Sequence, residues 1–256
     1  MNNMKIKNGI KLGAFWGMLF LSSCHSGYSI IGVEGGREPI TSEYDTNPDR
    51  QALALVERYK NSIDSIMSPV VGHAANDLKS YRPESPLSNL IADILRNSVF
   101  EVTGKRADIA VMNMGGIRSS ISKGEITYGN IFEIAPFENA LCILTMDGKT
   151  VMELFEQIAS VYGEGLSGAS LEISDDGKLV SAKINGKDID PNKEYTVATI
   201  DYLAEGNDKM LAFKKAKSKT LPKNCVLREL LLKYVTECNK KGKFVDASVE
   251  GRIKIR

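Results

Sequence analysis

Residues 113–157 read NMGGIRSSISKGEITYGNIFEIAPFENALCILTMDGKTVMELFEQ, and the order of features in this stretch sets the fold class. It opens on Gly115-Gly116, just after the apolar run Ala107 to Met112 (ADIAVM), which is bounded upstream by Lys105-Arg106. That pattern predicts a buried strand running into a glycine loop. A second strand is expected over Leu141 to Met146. Asp147-Gly148 then forms a turn, and Thr150 is expected to cap a helix whose inner face carries Val151, Leu154, Phe155 and Ile158.

The same reading extends in both directions. Upstream, Leu53, Val56, Tyr59, Ile63, Ile66 and Met67 recur every three or four residues from Asp49 onward, one apolar stripe on a long helix. A second helix is expected over Ser88 to Val99, with Leu87, Leu90, Ile91, Ile94 and Leu95 on one face. Downstream, Ala169–Ile173 and Leu179–Ile184 flank Asp176-Gly177, a hairpin signal. Tyr195–Ile200 is strand-like through its β-branched residues. A last amphipathic helix carries Val226, Leu227, Leu230, Leu231, Tyr234 and Val235, and a terminal strand follows near Arg252–Ile255. Strands and helices mixed in this way over some 200 residues predict one α/β (α+β) domain, a mixed sheet flanked by helices.

The chain has 256 residues, 43% apolar and 25% charged, with a formal net charge of +1. Such a balance excludes a disordered chain and offers no basic surplus for tracking nucleic acid. Lys5, Lys7 and Lys11 precede a short apolar run from Leu12 to Phe20, then Leu21-Ser22-Ser23-Cys24. The run is too short to span a bilayer comfortably and reads as an export signal over residues 1–23. Leu-Ser-Ser-Cys resembles a bacterial lipobox, which implies lipidation at Cys24, a membrane anchor and an exported location. Residues 24–48 are rich in Gly, Ser, Thr and Pro and read as a tether, leaving 49–256 as the folded domain. Cys142 lies in an apolar run and is expected to be buried. Cys225 and Cys238 match no metal or redox spacing, and a bridge between them is left open.

Hydrolysis with two metal ions needs several imidazoles and carboxylates converging on one point. This chain has only His25 and His73, and no Asp-x-His, Gly-His-x-His or Asn-His pair. No serine sits in a nucleophile-elbow pattern either. The candidate chemistry lies instead in Asn113-Met114-Gly115-Gly116-Ile117-Arg118. Paired glycines let backbone N–H groups approach a ligand, and an arginine offers a planar fork for anions or base edges. By itself, Gly-Gly after a strand is most often only a turn.

The wider pattern is more specific. Asn113 to Arg118, then Gly124, Ile126 and Thr127, then Pro136-Phe137, then Asp147-Gly148 together resemble the signature of the 5′-nucleotidase C-terminal domain. Glu84 to Asp93 (ESPLSNLIAD) and Asp201 to Asp208 (DYLAEGND) resemble two further blocks of that family, in the same order. The resemblance spans about residues 50 to 255. It implies that Phe137 and Tyr202 stack on the two faces of a base and that Asn113 bonds the base edge. It also implies that Arg118 lies near ribose and phosphate, that Gly115 and Gly116 belong to the substrate site, and that Asp208 accepts from ribose hydroxyls. Divalent metals in this family sit on a separate metallophosphoesterase domain, so no cofactor is expected in this chain. The implied function is the nucleotide- or nucleoside-binding part of a split 5′-nucleotidase, working with a metallophosphoesterase subunit.

The sequence departs from the family at four places. Asn207 replaces a glycine, Lys209 and Met210 replace a glycine and an aromatic, and Ser88 replaces a glycine before Asn89. The arginine that precedes the family's Glu is Pro83 here, with Arg82 one position away. Base recognition is therefore better preserved than phosphate recognition. Two other readings remain: a stand-alone nucleoside-binding lipoprotein, and a structural domain that no longer holds a ligand.

Overall fold

The structure is a computed structural model that describes residues 30–256. The expected export signal and Cys24 lie outside the described residues, as does His25. The chain divides into two compact units, Met1–Leu53 and Ala54–Arg256. The described part of the first holds an exposed 3-10 turn, Ser42–Thr46. Helix α1 (Arg50–Met67) starts where the Asp49 side chain accepts the N–H groups of Gln51 and Ala52, a local cap for otherwise orphaned donors. The helix forms as the apolar period predicts. Its stripe, however, stays in solvent: Val56, Tyr59, Ile63 and Ile66 are all more than half exposed. Periodicity identifies an apolar face; it does not supply an element to cover it.

The second unit is built on a five-stranded mixed sheet in the order β5-β2-β8-β4-β9. These strands are Gly165–Ser167 (β5), Ile109–Met112 (β2), Glu194–Ile200 (β8), Leu141–Asp147 (β4) and Ser218–Thr220 (β9). β2 and β8 run parallel, and β4 is antiparallel to β8 with Leu141 opposite Ile200. All four β2 residues are buried, as is most of β8, which is why both read as nearly continuous apolar runs rather than alternating ones. β2 begins two residues later than the apolar run suggests, since the Asp108 carboxylate accepts the Thr196 N–H.

Helix α2 (Pro86–Thr103) packs on β2 and β5. Ser85 and Ser88 form a reciprocal capping box, and Gly104 closes the helix at φ 72°, so the helix is longer at both ends than its stripe suggests. Helix α3 (Tyr128–Ile134) follows β3 (Gly124–Thr127), which pairs with β1 (Val70–Ala74). In α4 (Gly148–Ser160) the cap is Asp147, not Thr150: the Asp147 side chain accepts the Thr150 N–H at 2.9 Å. The carboxylate precedes the first turn and can reach back to its free donors, whereas Thr150 already lies within the helix. Strands β6 (Ala169–Ile173) and β7 (Leu179–Ile184) form the expected hairpin, joined by β10 (Ile253–Ile255). Helix α6 (Leu227–Lys240) packs against α2 and β1, after a single short turn of helix, α5 (Asp201–Ala204).

Cys142 is fully buried, and desolvation pushes its thiol up to about 11. Cys225 and Cys238 are free thiols. His73 lies in β1 with its ring centroid 6.1 Å from that of Phe244.

Candidate functional site

Strand directions decide where ligand-facing residues gather. β2 and β8 are parallel neighbours, so the loops that leave them emerge at the same sheet edge. β4 enters that edge from the opposite direction, which brings the segment before it, residues 135–140, to the same place. Open sheets with parallel strands present their ligand crevices at this carboxyl edge.

A cleft of about 280 Å³ lies there, lined by Asn113, Gly115, Gly116, Phe137, Asn139, Tyr202 and Asp208. Six of the seven predicted binding residues thus share one cavity. Phe137 is 49% exposed and Tyr202 41% exposed, a considerable area of apolar ring left open to water in the lining of one cleft. Solvent-facing aromatics in a concave setting are suited to stacking on a planar ligand.

Asp208 ties the rim together. Its carboxylate accepts the Tyr202 hydroxyl at 2.9 Å and the Asn113 side-chain amide at 2.6 Å. The bond to the carboxylate raises the Tyr202 phenol above its usual range, keeping it a donor. Asn113 is buried, and its side-chain oxygen has no partner among the described residues. Gly116 must be glycine for this arrangement: a Cβ there would stand 2.6 Å from that oxygen and 2.7 Å from the Met112 methyl.

Beneath the glycine loop lies a carboxylate that the sequence did not single out. Glu164 is buried; it accepts the Met114 N–H and pairs with Arg82, whose Nε also donates to the Gly163 carbonyl at 2.8 Å. Desolvation pushes the Glu164 carboxyl upward, against the pull of Met114 and Arg82. Arg82 is therefore occupied in bracing the loop. Arg118 does not line the cleft; it is exposed and donates to the Gly115 carbonyl at 3.2 Å. Asn139 is the cleft residue that sequence reasoning missed. It stands two positions past Phe137, in the same segment that leads into β4.

This geometry coincides with a known sequence family. The model of the 5′-nucleotidase C-terminal domain matches residues 70–215. The chain belongs to that family. It is 37% identical over 184 residues to protein UshA of Yersinia enterocolitica, covering 69% of this chain and 32% of that protein. It is 36% identical over 165 residues to endonuclease YhcR of Bacillus subtilis, covering 61% of this chain and 13% of YhcR. The crystal structure of a 5′-nucleotidase precursor from Thermus thermophilus superposes with a TM-score of 0.71 at 27% identity, covering 80% of this chain and 43% of that one. The chain thus spans a third or less of the length of these two curated relatives.

Among the described residues no group of three or more His, Cys, Asp or Glu side chains could hold an ion.

Proposed function

We propose that the cleft binds the base and ribose of a nucleotide, with the base between Phe137 and Tyr202 and the ribose hydroxyls toward Asp208. The observation that carries this is two half-exposed rings from separate segments lining one cleft, whose rim is bonded through a single carboxylate. Asn139 and Asn113 supply edge hydrogen-bonding groups, and Arg118 is close enough in sequence to the glycine pair to swing toward a phosphate.

The chain then acts as the recognition half of a split 5′-nucleotidase. Divalent metals and the attacking water come from a separate metallophosphoesterase subunit, and hydrolysis of nucleoside monophosphates requires both. This reading is supported by the two histidines of the sequence, too few for a two-metal centre. The 1–24 pattern supports an exported lipoprotein held at a membrane through Cys24; among the described residues no helix is long and apolar enough to cross one.

Calorimetry with AMP and adenosine tests the site. Each base stack contributes roughly 1–3 kcal/mol, so the double variant Phe137→Ala, Tyr202→Ala should bind at least about 30-fold more weakly. Unchanged affinity would remove the assignment. Hydrolysis of AMP by the purified chain with Mn²⁺, Zn²⁺ or Mg²⁺ alone would remove the division of labour while leaving the binding site standing.

A further inference from the structure

A second basin, of about 380 Å³, opens at the other end of β2 and shares no lining residue with the nucleotide cleft. Four strand residues at roughly 3.3 Å each separate the two ends. Its walls include Arg96 from α2, Arg106 before β2, Ser167 and Ser170 around the β5–β6 corner, and Asn185 and Gly186 after β7.

Arg96 is the unusual member. It is only 9% exposed, and its guanidinium donates through Nε to the Ala107 carbonyl at 2.9 Å and through Nη2 to Asn185 Oδ1 at 2.7 Å. Neither it nor Arg106 forms an ion pair among the described residues. The two carboxylates of the basin are already taken. Asp93 accepts from Arg252 through both oxygens and from the Ser167 hydroxyl at 2.5 Å, and Glu250 also pairs with Arg252. Asp108, nearby, accepts the Thr196 N–H.

A buried guanidinium without a carboxylate is costly, and buried charges are ordinarily paired. Burial and the neighbouring charges of Arg106 and Arg252 push the Arg96 guanidinium below its usual value, against the opposing influence of Asp93 and Asp108. Gly168 keeps the pocket open around it. At φ 79° it brings bare backbone against the guanidinium, where a Cβ would stand 2.6 Å from Arg96 Cζ.

We infer that this basin is a binding site for a phosphate-type oxyanion, held by the free Nη1 face of Arg96 and by Arg106, with Ser170 and the Gly186 backbone at its edge. Guanidinium forks match tetrahedral oxyanions in geometry and gain most where water is excluded. The site is independent of the nucleotide reading, because no group of the cleft takes part in it.

The test is an NMR titration of the ¹⁵N-labelled protein at constant ionic strength, following the Gly168 and Gly186 amides. Inorganic phosphate and pyrophosphate should each give saturable shifts there. Arg106→Glu, an exposed change, and Arg96→Lys, which keeps the charge but loses the fork, should each weaken binding at least tenfold. The Phe137→Ala, Tyr202→Ala protein should retain it. Repeating the titration with AMP in that double variant tells a free oxyanion from the phosphate of a nucleotide. Absence of saturable shifts, equal affinity in wild type and both arginine variants, or loss in the aromatic double variant would each overturn the site.

Discussion

Two of the loops that line the nucleotide cleft leave parallel neighbouring strands, yet they are held by different means. The 113–118 loop is pinned from far away in the chain: Met114 N–H to Glu164, Arg118 N–H to the Ile134 carbonyl at 3.0 Å. Its Gly116 fills a position where a Cβ would collide with the Asn113 and Met112 side chains. The 201–210 loop is held mostly by itself. Asn207 donates to the Tyr202 carbonyl at 2.8 Å, the Met210 N–H to the Asn207 carbonyl at 3.0 Å, and Met210 is fully buried as an anchor. Two successive residues that are not glycine, Asp208 and Lys209, sit at φ 52° and 67°. One wall is therefore fixed by the fold. The other is a strained local turn, joined to the first through Asp208.

Removing that joint should have the largest effect. Asp208→Ala deletes a charged acceptor from two hydrogen bonds and leaves the buried Asn113 amide short of a partner. Bonds to charged groups contribute about 1.5–3 kcal/mol each. AMP and adenosine affinity, read by calorimetry, should fall on the order of 100-fold, with a lower melting temperature. A variant that binds normally would mean that the second wall stands without its link to the first.

The fixed wall is next. Burial raises the Glu164 carboxyl, so the folded protein keeps this proton to higher pH than the unfolded chain does. The stabilisation linked to it is fully present below the ordinary glutamate value, about 4.3, and is lost as pH rises through the raised folded value. Glu164→Gln carries no such proton. Urea unfolding from pH 4 to 7 should show wild type losing stability relative to the variant as pH rises. A constant difference would mean that Arg82 and the Met114 N–H fully offset the burial, making this wall more rigid still.

The same contrast marks what the sequence could tell. β2, β4 and β8 are legible because buried strands of a mixed sheet carry unbroken apolar runs, and α2, α4 and α6 because their stripes face the core. β1 and β3 pair Val70–Ala74 with Gly124–Thr127 across some fifty residues, and no local pattern carries that register. β5 and β9 have three residues each, too few for a period. In the site, motif order brought six residues to one cavity. What motif order could not carry was direction. Arg118 turns along its own loop, Arg82 is claimed by Glu164, and Asn139 reaches the cleft from the segment that leads into β4. Glu164 was hidden because a lone glutamate before a glycine has no pattern until the fold brings Met114 to it.

The smallest effect tests the strain directly. Lys209 holds a left-handed conformation that costs an L-residue of its kind about 1–2 kcal/mol and glycine very little. Glycine gives part of this back by loosening the unfolded chain. Lys209→Gly should therefore raise unfolding stability by about 0.5–1 kcal/mol in chemical denaturation. No ion pair of Lys209 is broken among the described residues, so electrostatics adds little. Because Asp208 and Met210 hold the loop on either side of the substitution, AMP affinity should stay within about threefold. Higher stability with unchanged affinity would locate the strain in the turn alone. Higher stability with weaker binding would instead show that the left-handed lysine helps to hold Asp208 against Tyr202 and Asn113, and that the locally built wall depends on its strain to keep the cleft in shape.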